Sequence, residues 1–219
     1  MRMVFRWFGE GNDSVTLSQI KQIPGVEGIV WALHDIPPGE IWPKDRIYEV
    51  KQQVERYGLH LDVVESVNIH ESIKLGRADR DRYITNYIET IKNLAAVNVK
   101  VICYNFMPVF DWVRTDLFGS LPDQSTALFY EKAKVTDMDP LELVEKIAAN
   151  PDYTMPGWEP ERLETLKDLF AAYQHVTEDD LIDHLRYFLQ KVIPVCEAYD
   201  IKLAIHPDDP PWEIFGLPR

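Results

Sequence analysis

The chain has 219 residues, 46% of them hydrophobic, so it can bury a sizeable core. Its formal net charge of −13 argues against a nucleic-acid partner, because phosphate binding needs clustered Lys and Arg side chains. The sequence contains no apolar run of about eighteen residues, so no membrane span is expected. The N-terminal segment lacks the features of a signal peptide, and two cysteines offer no disulfide framework, which together predict a cytoplasmic protein.

Short apolar runs alternate with amphipathic stretches along the chain. The runs predict five strands, over Val4–Phe8, Gly28–Leu33, Leu61–Glu65, Val99–Tyr104 and Ile201–Ile205. The stretches between them predict helices, over Leu17–Ile23, Asp45–Tyr57, Asp81–Ala96 and Asp180–Tyr199. Apolar strands that alternate with helices are typical of parallel βα units.

Residues 106–176 interrupt this alternation. They contain no convincing strand pattern, and the clearest helical stretches are Leu141–Ala149 and Glu161–Tyr173. We interpret the segment as a helical insertion in the loop after the fourth strand. Loops at that end of a parallel barrel commonly carry functional residues.

The length limits the choice of α/β fold. A closed TIM (β/α)₈ barrel takes about 250 residues, whereas five βα units and the insertion use all of this chain. We therefore predict a single partial barrel domain over residues 1–219, made of about the first five βα units. An open doubly wound sheet of five strands also fits the length.

His206 is the strongest candidate for a functional residue. It follows the last apolar run and precedes two aspartates and several prolines, which end the strand. A histidine at the carboxyl end of a barrel strand suits a metal ligand or a catalytic group. The alternative is a structural histidine in a proline-rich loop.

Two other strand ends carry polar residues. His70 follows the third strand, where it either faces a binding pocket or caps the next helix. Asn105 follows the fourth strand, where it either bonds a sugar hydroxyl or forms a turn.

Two arginines stand beside tryptophans. Arg6 lies within the first apolar run, where an unpaired charge is unfavourable, so it should meet an acid or an anionic ligand. Arg114, close to Trp112, is suited to gripping a carboxylate with two N–H groups, and a surface salt bridge is the alternative.

The sequence as a whole resembles the mannonate dehydratases. The similarity is carried by long segments along the chain: Phe5–Glu10, Gln22–Val26, Gly28–Val30, Asp35–Trp42, Glu65–Val67, Ile69–Glu71, Cys103–Trp112, Ala204–Trp212 and Gly216–Arg219. The helical insertion also has a counterpart in that family.

The resemblance implies a metal-dependent TIM barrel of the xylose-isomerase-like type, of which this chain is the N-terminal portion. It implies a lyase that dehydrates D-mannonate to 2-dehydro-3-deoxy-D-gluconate in hexuronate (glucuronate) catabolism, with Mn²⁺ or Fe²⁺ and as a homo-oligomer. By resemblance His206 is a metal ligand, and the other ligands and the proton-abstracting base lie on later strands. The substrate contacts are then expected at these residues: Arg6, His70, Asn105, Trp112 and Arg114.

Two alternatives remain open at this point. A related metal-dependent barrel could act as a sugar isomerase or epimerase rather than a dehydratase. A chain of this length could also be an inactive fragment of a barrel, because three of the four expected metal ligands are missing from it.

Overall fold

A computed structural model describes residues 2–136 and 160–219 of the chain. Its strands, in chain order, are β1 (Met3–Arg6), β2 (Val26–Trp31), β3 (His60–Glu65), β4 (Val101–Tyr104), β5 (Asp116–Ser120), β6 (Thr126–Phe129) and β7 (Lys202–Ile205). Its helices are α1 (Leu17–Lys21), α2 (Lys44–Arg56), α3 (Glu71–Lys74), α4 (Arg80–Ala96), α5 (Lys132–Thr136), α6 (Pro160–Tyr173) and α7 (Glu178–Ala198). The described elements include all five predicted strands, and each strand end either coincides with the prediction or lies one or two residues from it.

Helix starts follow from local side-chain chemistry. Before α1, the Thr16 hydroxyl accepts the Gln19 backbone N–H, and the Gln19 side chain accepts the Thr16 N–H in return. Thr177 and Asp180 make the same reciprocal bonds before the first turn of α7. Each pair satisfies backbone donors that have no partner within the helix.

Five strands form one parallel sheet in the order β1-β2-β3-β4-β7. Each strand therefore pairs with the next one of the series along the chain. A doubly wound sheet reverses direction after its first strands, whereas a βα barrel keeps adding strands on one side. The observed order favours the barrel prediction over the open-sheet alternative.

The two faces of this sheet differ in burial. Ile29, Leu61 and Ile102 are fully buried on the face against which helices pack. Val63 and Val101, which are register partners, are half-buried on the opposite face. That second face corresponds to the interior of a barrel, where inward-pointing side chains stack.

The chain divides into two compact units. The first comprises Met1–Asn105 and Asp183–His206, and the second comprises Phe106–Ile182 and Pro207–Arg219. The parallel sheet belongs to the first unit.

The second unit corrects one sequence prediction. Residues 106–176 were expected to lack strands, yet β5 and β6 form an antiparallel hairpin. The predicted helix Glu161–Tyr173 is confirmed as α6, while the predicted helix Leu141–Ala149 lies outside the described residues. Within residues 2–136 and 160–219, the structure shows no helix with the length and hydropathy that crossing a membrane requires.

Candidate functional site

The carboxyl ends of the parallel strands gather the polar side chains of the first unit. Arg6 ends β1 and Glu65 ends β3, while Asn105 and His206 follow β4 and β7 directly. His34 comes three residues after β2. Because parallel strands end at one edge of a sheet, these residues share that edge, which is where α/β barrels hold their active sites.

Arg6 is held by three contacts on the β1–β2 side of the edge. Its Nη1 donates to the Val30 carbonyl at 3.3 Å, and its Nη2 lies 3.4 Å from His34 Nε2. Its Cζ lies 4.6 Å from the centre of the Phe8 ring, which is cation–π geometry. Burial lowers the pKa of this guanidinium, and the nearby charges of Glu65 and Asp13 act in the opposite direction.

No acidic partner is bonded to Arg6 in the described part of the chain. Residues 2–135 and 166–219, whose side chains the structure describes, place no carboxylate oxygen within 4.0 Å of its guanidinium. Asp13, whose charge acts on Arg6, has its two oxygens bonded to the backbone N–H groups of Phe8 and Val15. Of the two sequence interpretations, an acid or an anionic ligand, neither is tested by these contacts, and the role of Arg6 as a substrate contact stays a prediction.

Glu65 and Cys103 lie beside Arg6 on the half-buried face. They are register partners at the ends of β3 and β4. Burial and the Glu65 charge raise the pKa of the Cys103 thiol, and the Arg6 charge lowers it. A charged arginine and a carboxylate thus lie within electrostatic range of each other on this face.

His206 extends the pairing of β4 and β7 by one residue. Its backbone N–H donates to the Tyr104 carbonyl at 2.7 Å, which fixes its main chain at the sheet edge, and its side chain is exposed. Among the described residues, no group of three or more His, Cys, Asp or Glu side chains converges as a metal site would require. These residues alone therefore do not form a complete cation site, and the role of His206 as a metal ligand stays a prediction.

His70 serves as the N-cap of α3. Its Nδ1 accepts the Ser72 backbone N–H at 3.1 Å, and its ring stacks on Tyr83 with centroids 3.6 Å apart. Burial lowers the pKa of the His70 imidazole. The helix-capping interpretation of the sequence is confirmed for this residue, and its role as a substrate contact stays a prediction.

Helix α3 contains a buried ion pair that the sequence did not reveal. Lys74 Nζ lies 3.0 Å from Glu71 Oε1, and their side chains are only 4% and 10% exposed. The Lys74 carbonyl also lies 2.7 Å from His184 Nδ1. This network anchors the segment that follows β3.

Asn105 is 7% exposed, so it is more deeply buried than a turn-forming asparagine on the surface would be. Its position directly after β4 keeps it at the sheet edge. A buried amide normally has hydrogen-bond partners, so this residue is structurally constrained. Its proposed contact with a sugar hydroxyl stays a prediction.

Arg114 and Trp112 belong to the second unit. The two terminal nitrogens of Arg114 donate to the two carboxylate oxygens of Asp209 at 2.9 and 2.5 Å. Its Cζ lies 5.1 Å from the centre of the Trp112 ring. The salt-bridge alternative is therefore observed, and a substrate carboxylate would have to displace Asp209 to bind this guanidinium in the same way.

The sequence matches the family described as D-mannonate dehydratase (UxuA) over residues 1–219. The chain belongs to the D-mannonate dehydratase family. It is 72% identical over 219 residues to Mannonate dehydratase 1 of Halalkalibacterium halodurans and 61% identical to the mannonate dehydratase of Bacillus subtilis.

Each alignment covers 100% of this chain and 61% of the relative, so the chain spans about three fifths of the length of the curated relatives it matches. A crystal structure of mannonate dehydratase from Streptococcus suis serotype 2 matches the fold with a TM-score of 0.86 and 44% identity. That match covers 100% of this chain and 57% of the solved one. The partial-barrel prediction is consistent with this agreement.

Two residues at the sheet edge were not among the predicted site residues. His34 directly follows the second predicted strand, and Glu65 ends the third. The position of each directly at or after a strand end was the signal that could have identified them. Their proximity to Arg6 depends on pairing between strands and could not be read from either segment alone.

Proposed function

We propose that the protein dehydrates D-mannonate to 2-dehydro-3-deoxy-D-gluconate, as the names of its relatives indicate for them. The observation that supports this proposal most directly is Arg6, a half-buried cation at the carboxyl edge of the sheet with no carboxylate bonded to it among the described residues. Mannonate carries one carboxylate, which a guanidinium can bind with paired N–H donors.

The number of N–H donors on Arg6 supports an anionic ligand. A guanidinium has five N–H donors, and the contacts to Val30 and His34 use two of them, which leaves three. An anion that accepted two of these would also compensate for the partial burial of the charge. The strongly negative chain would repel an anion at long range, so such a local positive group is required.

We propose further substrate contacts at Asn105, His70, Trp112 and Arg114. Asn105 could bond a hydroxyl group from its buried position after β4. Hydroxyl groups of a sugar acid need partners that both donate and accept, and an amide side chain offers both.

We propose that His206 is one ligand of a divalent cation, Mn²⁺ or Fe²⁺. Neutral imidazole is a common ligand for such metals, and His206 is exposed at the sheet edge. The other ligands would have to come from outside the described residues, because these form no group of three.

Family likeness also supports a cytoplasmic location, a place in hexuronate (glucuronate) catabolism and assembly into a homo-oligomer. We include these as parts of the same proposal. Size-exclusion chromatography with light scattering would measure the assembly state directly.

The proposed activity is tested by assaying the metal-stripped chain with D-mannonate and following the 2-keto-3-deoxy acid product, with and without added Mn²⁺ or Fe²⁺. The assay is run on the 219-residue chain alone and on the chain co-expressed with the remaining two fifths of the Bacillus subtilis relative. Product that depends on added metal in either arm supports the proposal. Its absence in both arms, or conversion of ketoses to aldoses instead, would contradict it.

Variants of two arginines sharpen the test. Arg6→Gln should raise KM about 10-fold or more, because a hydrogen bond to a charged group is worth roughly 1.5–3 kcal/mol. Arg2→Gln is the matched control, because Arg2 directly precedes the same strand, is exposed and pairs with Asp62. An unchanged KM in Arg6→Gln would remove Arg6 from the site. Loss of metal-dependent activity in His206→Ala is expected for a ligand.

A further inference from the structure

The ends of β1 and β2 build a small cluster around the Arg6 guanidinium. The strands pair in parallel with Arg6 opposite Val30, so the residues just beyond Val30 come close to the end of β1. Phe8 and His34 stack with ring centroids 5.9 Å apart and an interplanar angle of 28°. The Arg6 guanidinium lies over the face of the Phe8 ring, and its Nη2 atom contacts Nε2 of the His34 ring.

The chemistry of this contact fixes the state of His34. A guanidinium offers only N–H donors, so the His34 Nε2 atom must act as the acceptor. Accepting this hydrogen bond requires the neutral ring with its proton on Nδ1. Neither a protonated His34 nor the other neutral tautomer could accept this hydrogen bond.

The three contacts restrain one side of the guanidinium. Val30 and His34 bind the two terminal nitrogens, and Phe8 lies against the guanidinium. Arginine otherwise loses considerable rotamer freedom when it binds a ligand, so restraint before binding improves affinity. A guanidinium held in this way can present its remaining donors to a carboxylate without first being ordered.

We propose that His34 is a positioning residue for the substrate carboxylate, acting through Arg6 rather than by contact with the substrate. This inference rests on the proposed function, because it takes the anion at Arg6 to be the carboxylate of D-mannonate. Phe8 acts in the same way from the other side of the cluster.

The test uses the 219-residue chain labelled with ¹⁵N-arginine. The NMR signals of the Arg6 side chain are assigned by their loss in Arg6→Lys and are recorded without ligand. Slowed rotation of the guanidinium, seen as separate Nη–H signals, is expected in the unaltered chain. It should be lost in His34→Leu, which removes the acceptor, and retained in His34→Gln, whose amide oxygen can accept in its place.

Titration with D-mannonate gives the second measurement. His34→Leu should weaken binding about 5-fold or more, as expected for loss of a hydrogen bond to a charged group. The affinity of His34→Gln for D-mannonate should remain within about twofold of that of the unaltered chain. His60→Leu is the control, because His60 is exposed and begins β3, at the opposite end of the sheet. Circular dichroism verifies that each variant is folded.

The outcomes separate this inference from the proposed function. If His34→Leu leaves both the ligand-free Arg6 signals and the mannonate affinity unchanged, the positioning role is wrong. If the ligand-free signals change but mannonate never perturbs Arg6, the carboxylate site at Arg6 is wrong, and with it the role of His34 toward substrate. If His34→Leu changes the Arg6 signals and weakens mannonate binding, and His34→Gln restores both, the positioning role of His34 and the carboxylate site at Arg6 are both supported.

Discussion

The buried ion pair of α3 allows the sharpest test of the energetics of the site region. Replacing Lys74 by Met would leave the Glu71 carboxylate buried without its partner ammonium, which lies 3.0 Å away. Removing one partner of a buried pair costs about 3–5 kcal/mol, whereas replacing both partners by apolar residues of similar volume is often close to neutral. The double variant Glu71→Met with Lys74→Met should therefore be much more stable than the sum of the single variants predicts.

The chain contains a matched control for this experiment. Lys92 and Glu89 are also three residues apart on a helix, with an N–O distance of 3.1 Å, but their side chains are 40% and 47% exposed. Exposed pairs of this kind contribute about 0.5 kcal/mol or less. The two pairs share the same spacing and a similar N–O distance, and they differ in burial.

Urea unfolding of each single and double variant gives the coupling energy of both pairs by a double-mutant cycle. Far-UV circular dichroism and tryptophan fluorescence must give coincident curves before free energies are compared. We expect a coupling energy of roughly 2 kcal/mol or more for the buried pair and a much smaller one for the exposed pair. Equal coupling energies for the two pairs would refute the reasoning.

Three further predictions concern stability. Tyr87→Phe should leave the free energy of unfolding unchanged or raise it by about 1 kcal/mol, because the buried Tyr87 hydroxyl has no hydrogen-bond partner among the described residues. A loss of stability in urea unfolding would show that the hydroxyl is bonded. Gly28→Ala should lower the melting temperature by several degrees or more, because an added Cβ would lie 2.6 Å from the His60 carbonyl oxygen of the neighbouring strand. An unchanged melting temperature would contradict this close approach. Burial lowers the pKa of His70 below its usual 6.5, so the unfolded chain takes up a proton first and stability should fall as the pH drops below about 6.5. His70→Asn keeps a capping side chain, so its free energy of unfolding, measured with urea, should fall less between pH 7 and pH 5 than that of the unaltered chain. An identical fall in the two proteins would exclude His70 as a cause.

The pairing of Arg114 with Asp209 shows why one site assignment stays open. A guanidinium beside an aromatic ring is suited to a substrate carboxylate and to an internal one alike. The internal partner is 95 residues away along the chain. The choice between them therefore depends on which carboxylate the fold brings near.

The hairpin of β5 and β6 was missed for a related reason. Its strands are short, and both exposed and partly buried side chains occur along them, so they lack the continuous apolar run of the parallel strands. Antiparallel pairing between Gly119 and Ala127 forms the ladder. Weak local patterns of this kind become strands only when a partner strand is close.

The sequence by itself determined the alternation of strands and helices, because parallel strands covered by helices must be apolar along their whole length. It also placed Asn105 and His206 directly after strand ends, whereas only the structure showed that β1 ends at Arg6. Only the tertiary structure decided how these side chains are engaged. The contact of Arg6 with His34 and the use of His70 as a helix cap both depend on distances between segments, which no local pattern of residues encodes.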